Sequence, residues 1–306
     1  MQQEDSAAFN PQETAKITLT RENLRGANLQ SADLVAADLI KADLIEAELM
    51  RANLAGADLI GAVLVSANLL GANLEGANLI GANCIKASAK LAKFANANLV
   101  AVNFKGADLT GANFTGSDLQ GADLSDSILI GANFTKAKLN GANLRHANLS
   151  EANFSSAKLI KANLNNVVAK DAVFKYADFR GVDSRNADFT GGDLSGAILR
   201  GVDCRGANFS FAKLVFANLN KGDFATCNFV FATLTKANLL DADLTGADLE
   251  CADLIGTSLI NTNLTEARLT NADLKDADFK GAILLRAIVD KDGLRDEDFA
   301  EIVVDS

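Results

Sequence analysis

The stretch Ala107-Asp108-Leu109-Thr110-Gly111-Ala112-Asn113-Phe114-Thr115-Gly116 holds two copies of one five-residue unit. The unit continues in both directions without a change of phase. From Leu24 to Leu284 every fifth residue is Leu or Phe, apart from Cys84, Ala89, Ala169, Ser184 and Cys204. Alanine takes most positions two residues earlier, as in Ala27-Asn28-Leu29 and Ala242-Asp243-Leu244. This gives 53 central positions in a single phase. A fixed internal period settles architecture before any local propensity is consulted.

A period of five matches neither the alternation of a strand nor the 3.6-residue turn of a helix. A helix would carry its leucine row around the axis, and a long strand would expose alternate leucines. The pattern works if each unit forms one short side of a coil and then turns. The central residue and the residue two before it then both point inward, as extended backbone requires. The turn falls after the centre, where Gly26, Gly56, Gly61, Gly71, Gly76 and Gly81 recur, because glycine tolerates tight bends.

The unit A-(D/N)-(L/F)-x-x, seen in Ala107–Gly111 and Ala112–Gly116, resembles that of the pentapeptide-repeat family. The resemblance covers residues 22–286. It implies an all-β fold, a right-handed quadrilateral parallel β-helix with four units per coil. On that plan the chain makes about 13 coils and a rod roughly 60 Å long, at a strand spacing of about 4.8 Å. The expected organisation is an N-terminal cap at 1–21, the β-helix at 22–286 and a C-terminal cap at 287–306, for which a short helix is one form. The resemblance also implies that the Asp and Asn before each centre stack between coils and hydrogen-bond locally.

Four sides per coil put residues twenty apart on one face. Phe94, Phe114, Phe134, Phe154 and Phe174 then form one internal ladder, and Phe189, Phe209 and Phe229 another. Small central residues are offset by large neighbours: Val167 beside Ala169, Val182 beside Ser184, Val202 beside Cys204. Total core volume is thereby kept, the condition cores tolerate best. Cys84 and Ala89 are compensated only by Phe94, which predicts a small cavity or local irregularity over Cys84–Lys93. Both ends of a solenoid need capping. Ile17, Leu19 and Thr20–Asn23 are candidates at the start. At the far end Leu294, Phe299, Ile302 and Val303 would give a short helix one apolar face, with Asp296, Glu297 and Asp298 in its first turn. That helix would cap one chain or pair two.

The formal net charge is −10. Residues 250–306 hold 6 Lys/Arg against 13 Asp/Glu, while the body, 21–249, sums to −1. No stretch supplies the roughly 18 consecutive apolar residues of a membrane span. Met1–Asp5 lacks the basic and apolar regions of a secretory signal. Of four cysteines, Cys84, Cys204 and Cys227 fall at inward positions and Cys251 outside. No CxxC or Cys/His spacing occurs, so neither disulfides nor zinc are expected, and a cytoplasmic setting fits.

Catalytic chemistry has no constellation here. The one histidine, His146, falls at a turn, and Ser184 at a core position. No GxxxxGK[ST], GxGxxG or HExxH pattern is present. Asp290-Lys291-Asp292-Gly293 resembles only the opening of a calcium loop. The chain is therefore expected to be no enzyme and to hold no cofactor or metal.

Three surface features remain. Ile40, Ile60, Ile80 and Val100 line one outer face, Ile45, Val65 and Ile85 the next, with Met50 and Leu70 on a third. They read as β-propensity on a wall or as a contact surface for a partner or a second copy. Phe211, Phe216 and Phe231 take turn positions usually held by Gly or a polar residue, with Val215 and Val230 nearby. They read as aromatics packing over the wall or as interface anchors. Arg185 and Arg205 share a face with Asp183, Asp203, Asp223 and Asp243, and Arg180 and Arg200 occupy the adjacent one. Mutual neutralisation fits this better than a nucleic-acid groove, which needs an uncompensated basic patch.

The leading functional expectation is a non-catalytic scaffold that binds an unidentified protein, as monomer or C-terminal dimer, without contacting nucleic acid or membrane. The repeats resemble pentapeptide proteins abundant in cyanobacteria. The alternative, by resemblance to quinolone-resistance members, is a DNA-mimicking inhibitor or protector of DNA gyrase or another type II topoisomerase. The acidic C-terminal segment agrees with that alternative and the nearly neutral body does not.

Overall fold

The computed structural model describes residues 16–290. Through this region the residue before each centre pairs in parallel with the residue twenty positions on, as in Asn133↔Asn153 and Asn153↔Val173. The ladder runs from Thr18 to Ile288, so residues 18–21 and 287–288, grouped with the caps on sequence grounds, take part in it. A twenty-residue coil with a five-residue unit has four sides. The chain is a parallel β-helix.

The hydrogen-bond accounting explains the repeat. Of the five backbone N–H groups in a unit, four have backbone partners. Leu139 N–H donates to Lys158 O at 2.7 Å, and Gly141 N–H donates to Ile160 O at 2.9 Å, both on the next coil. Asn153 N–H donates to Ala132 O on the preceding coil, 2.9 Å away. Ala142 N–H closes the turn onto Leu139 O, at 3.0 Å. The fifth N–H, just after the centre, has no backbone acceptor. The Asp or Asn side chain supplies one: Thr115 N–H donates to Asn113 Oδ1 at 3.0 Å, and Ser155 N–H to Asn153 Oδ1 at 2.9 Å. This is an Asx turn. Where Lys158 replaces the Asx residue, Asn140 of the preceding coil accepts from Ile160 N–H at 3.2 Å. The inter-coil stacking implied by the resemblance also occurs, as in Asn143 Nδ2 donating to Asp123 Oδ1 at 3.0 Å.

The second residue after each centre has positive φ at every position from Arg21 to Arg286, whether or not it is glycine. Positive φ at the third turn residue is the type II signature and the reason glycine recurs there. The centres and the alanines two before them fill the core, most of them fully buried. The rings of Phe94, Phe114, Phe134, Phe154 and Phe174 stack at 4.9, 4.6, 4.6 and 5.0 Å. Phe189, Phe209 and Phe229 stack at 5.0 Å each.

The local irregularity expected over Cys84–Lys93 does not occur in the backbone. The backbone at Cys84–Lys93 is regular: Cys84 N–H donates to Asn103 O at 2.7 Å and Ala89 N–H to Asp108 O at 2.8 Å. Phe104, the residue twenty beyond Cys84, also fills this region, edge-on to Phe94 at 5.6 Å. Farther along, Gly222 replaces the inward alanine because the Phe224 ring occupies that space. A Cβ on Gly222 would lie 2.9 Å from Phe224 Cζ. Buried hydroxyls are paired; Thr257 and Thr262 donate to Leu234 O and Leu239 O at 2.8 and 2.9 Å.

The proposed terminal helix with Leu294, Phe299, Ile302 and Val303 lies outside the described residues, as do residues 291–293 of the loop beginning at Asp290. Asp290 itself accepts a hydrogen bond from Asn271 N–H at 2.6 Å.

Candidate interaction surface

The register brings the three turn phenylalanines onto two neighbouring corners of one side. Phe211 and Phe231 share a corner, with rings stacked at 5.2 Å and 13°. Phe216 holds the next corner, with Lys236 Nζ 5.6 Å from its ring centroid. Their exposures are 60%, 52% and 64%. All three have positive φ, near 58°. Bulky side chains seldom occupy that region. Val215 and Val230 sit at the adjoining turn positions, half-buried. Lys213 lies exposed on the side between the two corners.

Sequence reasoning missed one member. Tyr176 stands at the Phe216 corner two coils earlier, 69% exposed. Its ring lies over Gly196, where a Cβ would sit 2.5 Å from Tyr176 Cε1. The signal was present in the sequence: a turn-position aromatic forty residues before Phe216, with a glycine midway.

The aliphatic columns also form as expected from the register. Ile40 and Ile60 are half-buried and Ile80 is exposed on one corner; Ile45, Val65 and Ile85 line the next.

The charged ladder is closed on itself. Arg185 pairs with Asp183 at 2.8 Å and approaches Asp203 at 3.6 Å; Arg205 pairs with Asp203 at 2.6 Å and Asp223 at 3.3 Å. The Arg205 hydrogen bond is the largest influence on Asp203 and holds its carboxyl below the usual range. At Asp183 partial burial acts upward, but hydrogen bonds from Arg185 and Asn165 outweigh it and the net shift is downward. A shallow depression lined by Arg185, Asn186, Arg205, Gly206 and Thr226 lies along this ladder. Both guanidiniums there are already bound to carboxylates, so the depression offers an anion little uncompensated charge.

His146 is exposed at a turn with φ of 59°. Ser184 is buried, its Oγ 3.1 Å from Cys204 Sγ. Cys84, Cys204 and Cys227 are buried free thiols, and Cys251 is partly exposed. Burial pushes Cys84 and Cys204 up to about 12. Among the described residues no cluster of His, Cys, Asp and Glu could hold a metal ion. No helix among them is long and apolar enough to cross a membrane.

A parallel β-helix of four-sided coils, built from A-(D/N)-(L/F)-x-x units with an Asx turn in each, defines a class of repeat protein. The chain belongs to the pentapeptide-repeat family. The family profile, Pentapeptide repeats (8 copies), matches residues 19–56, 47–84, 57–94, 90–126, 127–166, 170–203, 187–224, 212–250 and 247–284. No curated protein matches the chain. Among solved structures it is similar to HetL from the cyanobacterium Nostoc sp. Strain PCC 7120, a pentapeptide repeat protein involved in heterocyst differentiation regulation. The identity is 30% over 81% of this chain and 92% of that one, with a TM-score of 0.33. It is also similar to QnrB1, a plasmid-mediated fluoroquinolone resistance protein, at 21% identity over 75% and 91%, with a TM-score of 0.28. Rfr23 from the cyanobacterium Cyanothece 51142 is 24% identical over 44% and 91%, with a TM-score of 0.22.

Proposed function

We propose that the protein is a non-catalytic cytoplasmic scaffold that presents its aromatic corners to a protein partner. One observation carries this reading. Phe211, Phe216 and Phe231 are held in left-handed turn positions and remain more than half exposed. Left-handed backbone costs a non-glycine residue roughly 1–2 kcal/mol, and each ring also leaves apolar surface in water. Glycine fills the same position in many other turns. Exposed, preoriented aromatics are typical anchors of an interface, and a rigid wall loses little entropy when it binds. Lys213 and Lys236 beside the rings favour a partner segment that carries carboxylates.

The architecture proposed beneath this site is right-handed, with about 13 coils. The twenty-residue register from Thr18 to Ile288 supports the coil count. A C-terminal cap over the last coils is proposed on the same footing, since Leu274, Ala287 and Val289 are only partly buried there. A DNA-mimicking topoisomerase ligand is the less favoured reading. Its surface would need negative charge along the rod, and here the Asp ladder is neutralised by Arg185 and Arg205.

The test is affinity capture with the full chain against its Phe211→Ser/Phe231→Ser variant, matched for thermal stability. The reading predicts that a protein retained by the wild type is lost with the variant. Identical retained proteins with an intact fold would remove the aromatic site.

A further inference from the structure

The N-terminal coils carry a second surface of a different kind. On the side whose inner residues are Leu44, Leu64 and Cys84, the outward residues are Asp43, Val63 and Asn83. Ile40, Ile60 and Ile80 line one bounding corner, and Ile45, Val65 and Ile85 the other. Val63 replaces the usual Asx residue, so seven aliphatic side chains form one block three coils deep. Gly81 leaves the first corner low, and a Cβ there would meet nothing within 4 Å, while the Lys41 stem lies over Gly61, 3.6 Å from where a Cβ would sit.

The block reads the same from either end. Ile40 corresponds to Ile80, Ile45 to Ile85 and Asp43 to Asn83, with Ile60, Val63 and Val65 at the middle level. Consider a two-fold axis in the contact plane, perpendicular to the rod and passing over Val63. It lays Ile40 on Ile80 of a second copy, Val63 on Val63, and Ile45 on Ile85. The exposed corner charges then meet with opposite sign, Glu46 against Lys86 of the second copy, and the pair occurs twice. Lys41 falls opposite Gly81, where there is room. Neither Glu46 nor Lys86 forms an ion pair among the described residues. One coil farther out the axis brings Arg25 toward Lys105. Each of these is already engaged within its own chain, by Asp43 at 3.3 Å and by Asp126 at 3.7 Å.

The parallel register runs unbroken through this side, with Asp43 paired to Val63 and Val63 to Asn83, so the three levels of the block stack in line. Strand propensity alone accounts for aliphatic residues on a wall, but it does not place opposite charges symmetrically about Val63.

We propose that this side is an isologous interface through which two copies pack antiparallel. It lies on coils that carry none of the turn phenylalanines, so it stands or falls independently of the aromatic corners. The aliphatic block spans three coils, about 14 Å along the rod, a small patch that puts the association in the weak class.

Sedimentation of the full chain from about 1 to 300 µM tests it. A monomer–dimer equilibrium is expected in that range. Glu46→Lys and Lys86→Glu should each weaken it by about tenfold or more, and the two together should restore it. Val63→Asn, which returns the usual residue to the repeat, should give a folded monomer. The proposal is overturned by a monomer at every concentration, or by a dimer indifferent to these changes. Rescue of Glu46→Lys by Lys41→Glu instead would mean parallel packing and would also overturn it.

Discussion

At the scale of the residue, the strongest constraint is the narrow core. Gly222 shows how tightly it is drawn. An alanine there would drive its Cβ into the Phe224 ring and to 3.1 Å from Leu219 O. Gly222→Ala should therefore destabilise by about 1–3 kcal/mol, the usual range for overfilling a packed site, although alanine is the consensus residue. Denaturant unfolding checks this; an unchanged midpoint would mean that the ring moves freely. The cysteines give a second expectation. Cys84 and Cys204 are buried with thiols pushed up to about 12, and Cys227 is buried and shifted in the same direction. Buried thiols of this kind are inert. Of the four thiols, a thiol reagent should modify Cys251 alone in the native protein and all four after denaturation. Rapid native labelling at two or more sites would contradict the burial described.

At the scale of the element, the five-residue unit was legible in the sequence because each of its positions has a separate physical task. Leu or Phe and Ala fill the core, Asn or Asp accepts the one N–H left over, and glycine meets the positive φ. The aromatic ladder was legible for the same reason, since Phe94 to Phe174 recur every twenty residues. Its stacking gives a graded prediction. Phe134→Ala removes stacked contacts at 4.6 Å on both sides and should cost about 3–5 kcal/mol. Phe134→Leu installs the commonest central residue, leaves a smaller void and should cost distinctly less than Phe134→Ala. Thermal denaturation of the two variants should separate them clearly. Volume balance was harder to read, because it depends on neighbours twenty residues away as well as adjacent ones. Phe104, twenty residues beyond Cys84, escaped a reading that compared near neighbours. Tyr176 escaped for a related reason: its column reaches Phe216 only across Gly196.

At the scale of the whole molecule, charge is arranged locally and not as a field. The body is nearly neutral, and ladders such as Asp183–Arg185–Asp203–Arg205 bind their own countercharges. Asp178, Asp183, Asp193 and Asp203 all have carboxyls held below their ordinary value. Groups lowered by folding stabilise the native state above the unfolded carboxylate value. That contribution is lost as pH falls through the lower folded values. Stability should therefore hold near neutrality and decline once pH drops below about 4. The basic partner of each pair stands about half in solvent, so the decline should be gradual and reduced in high salt. Denaturant midpoints measured from neutral pH to strong acid, at two salt concentrations, check this. A midpoint that rises on acidification would contradict it.

The register of twenty supports every surface described, because it decides which side chains share a corner. Oxidative cross-linking tests it directly. Cysteines placed at Asn133 and Asn153, which pair in adjacent coils, would have Cα atoms at about the strand spacing of 4.8 Å, within disulfide range. The account predicts that Asn133→Cys/Asn153→Cys forms an internal disulfide under mild oxidation, while Asn133→Cys/Asn148→Cys, fifteen apart, does not. Efficient bridging of the fifteen-residue pair, with none at twenty, would mean three sides to each coil and would contradict the fold on which these surfaces rest.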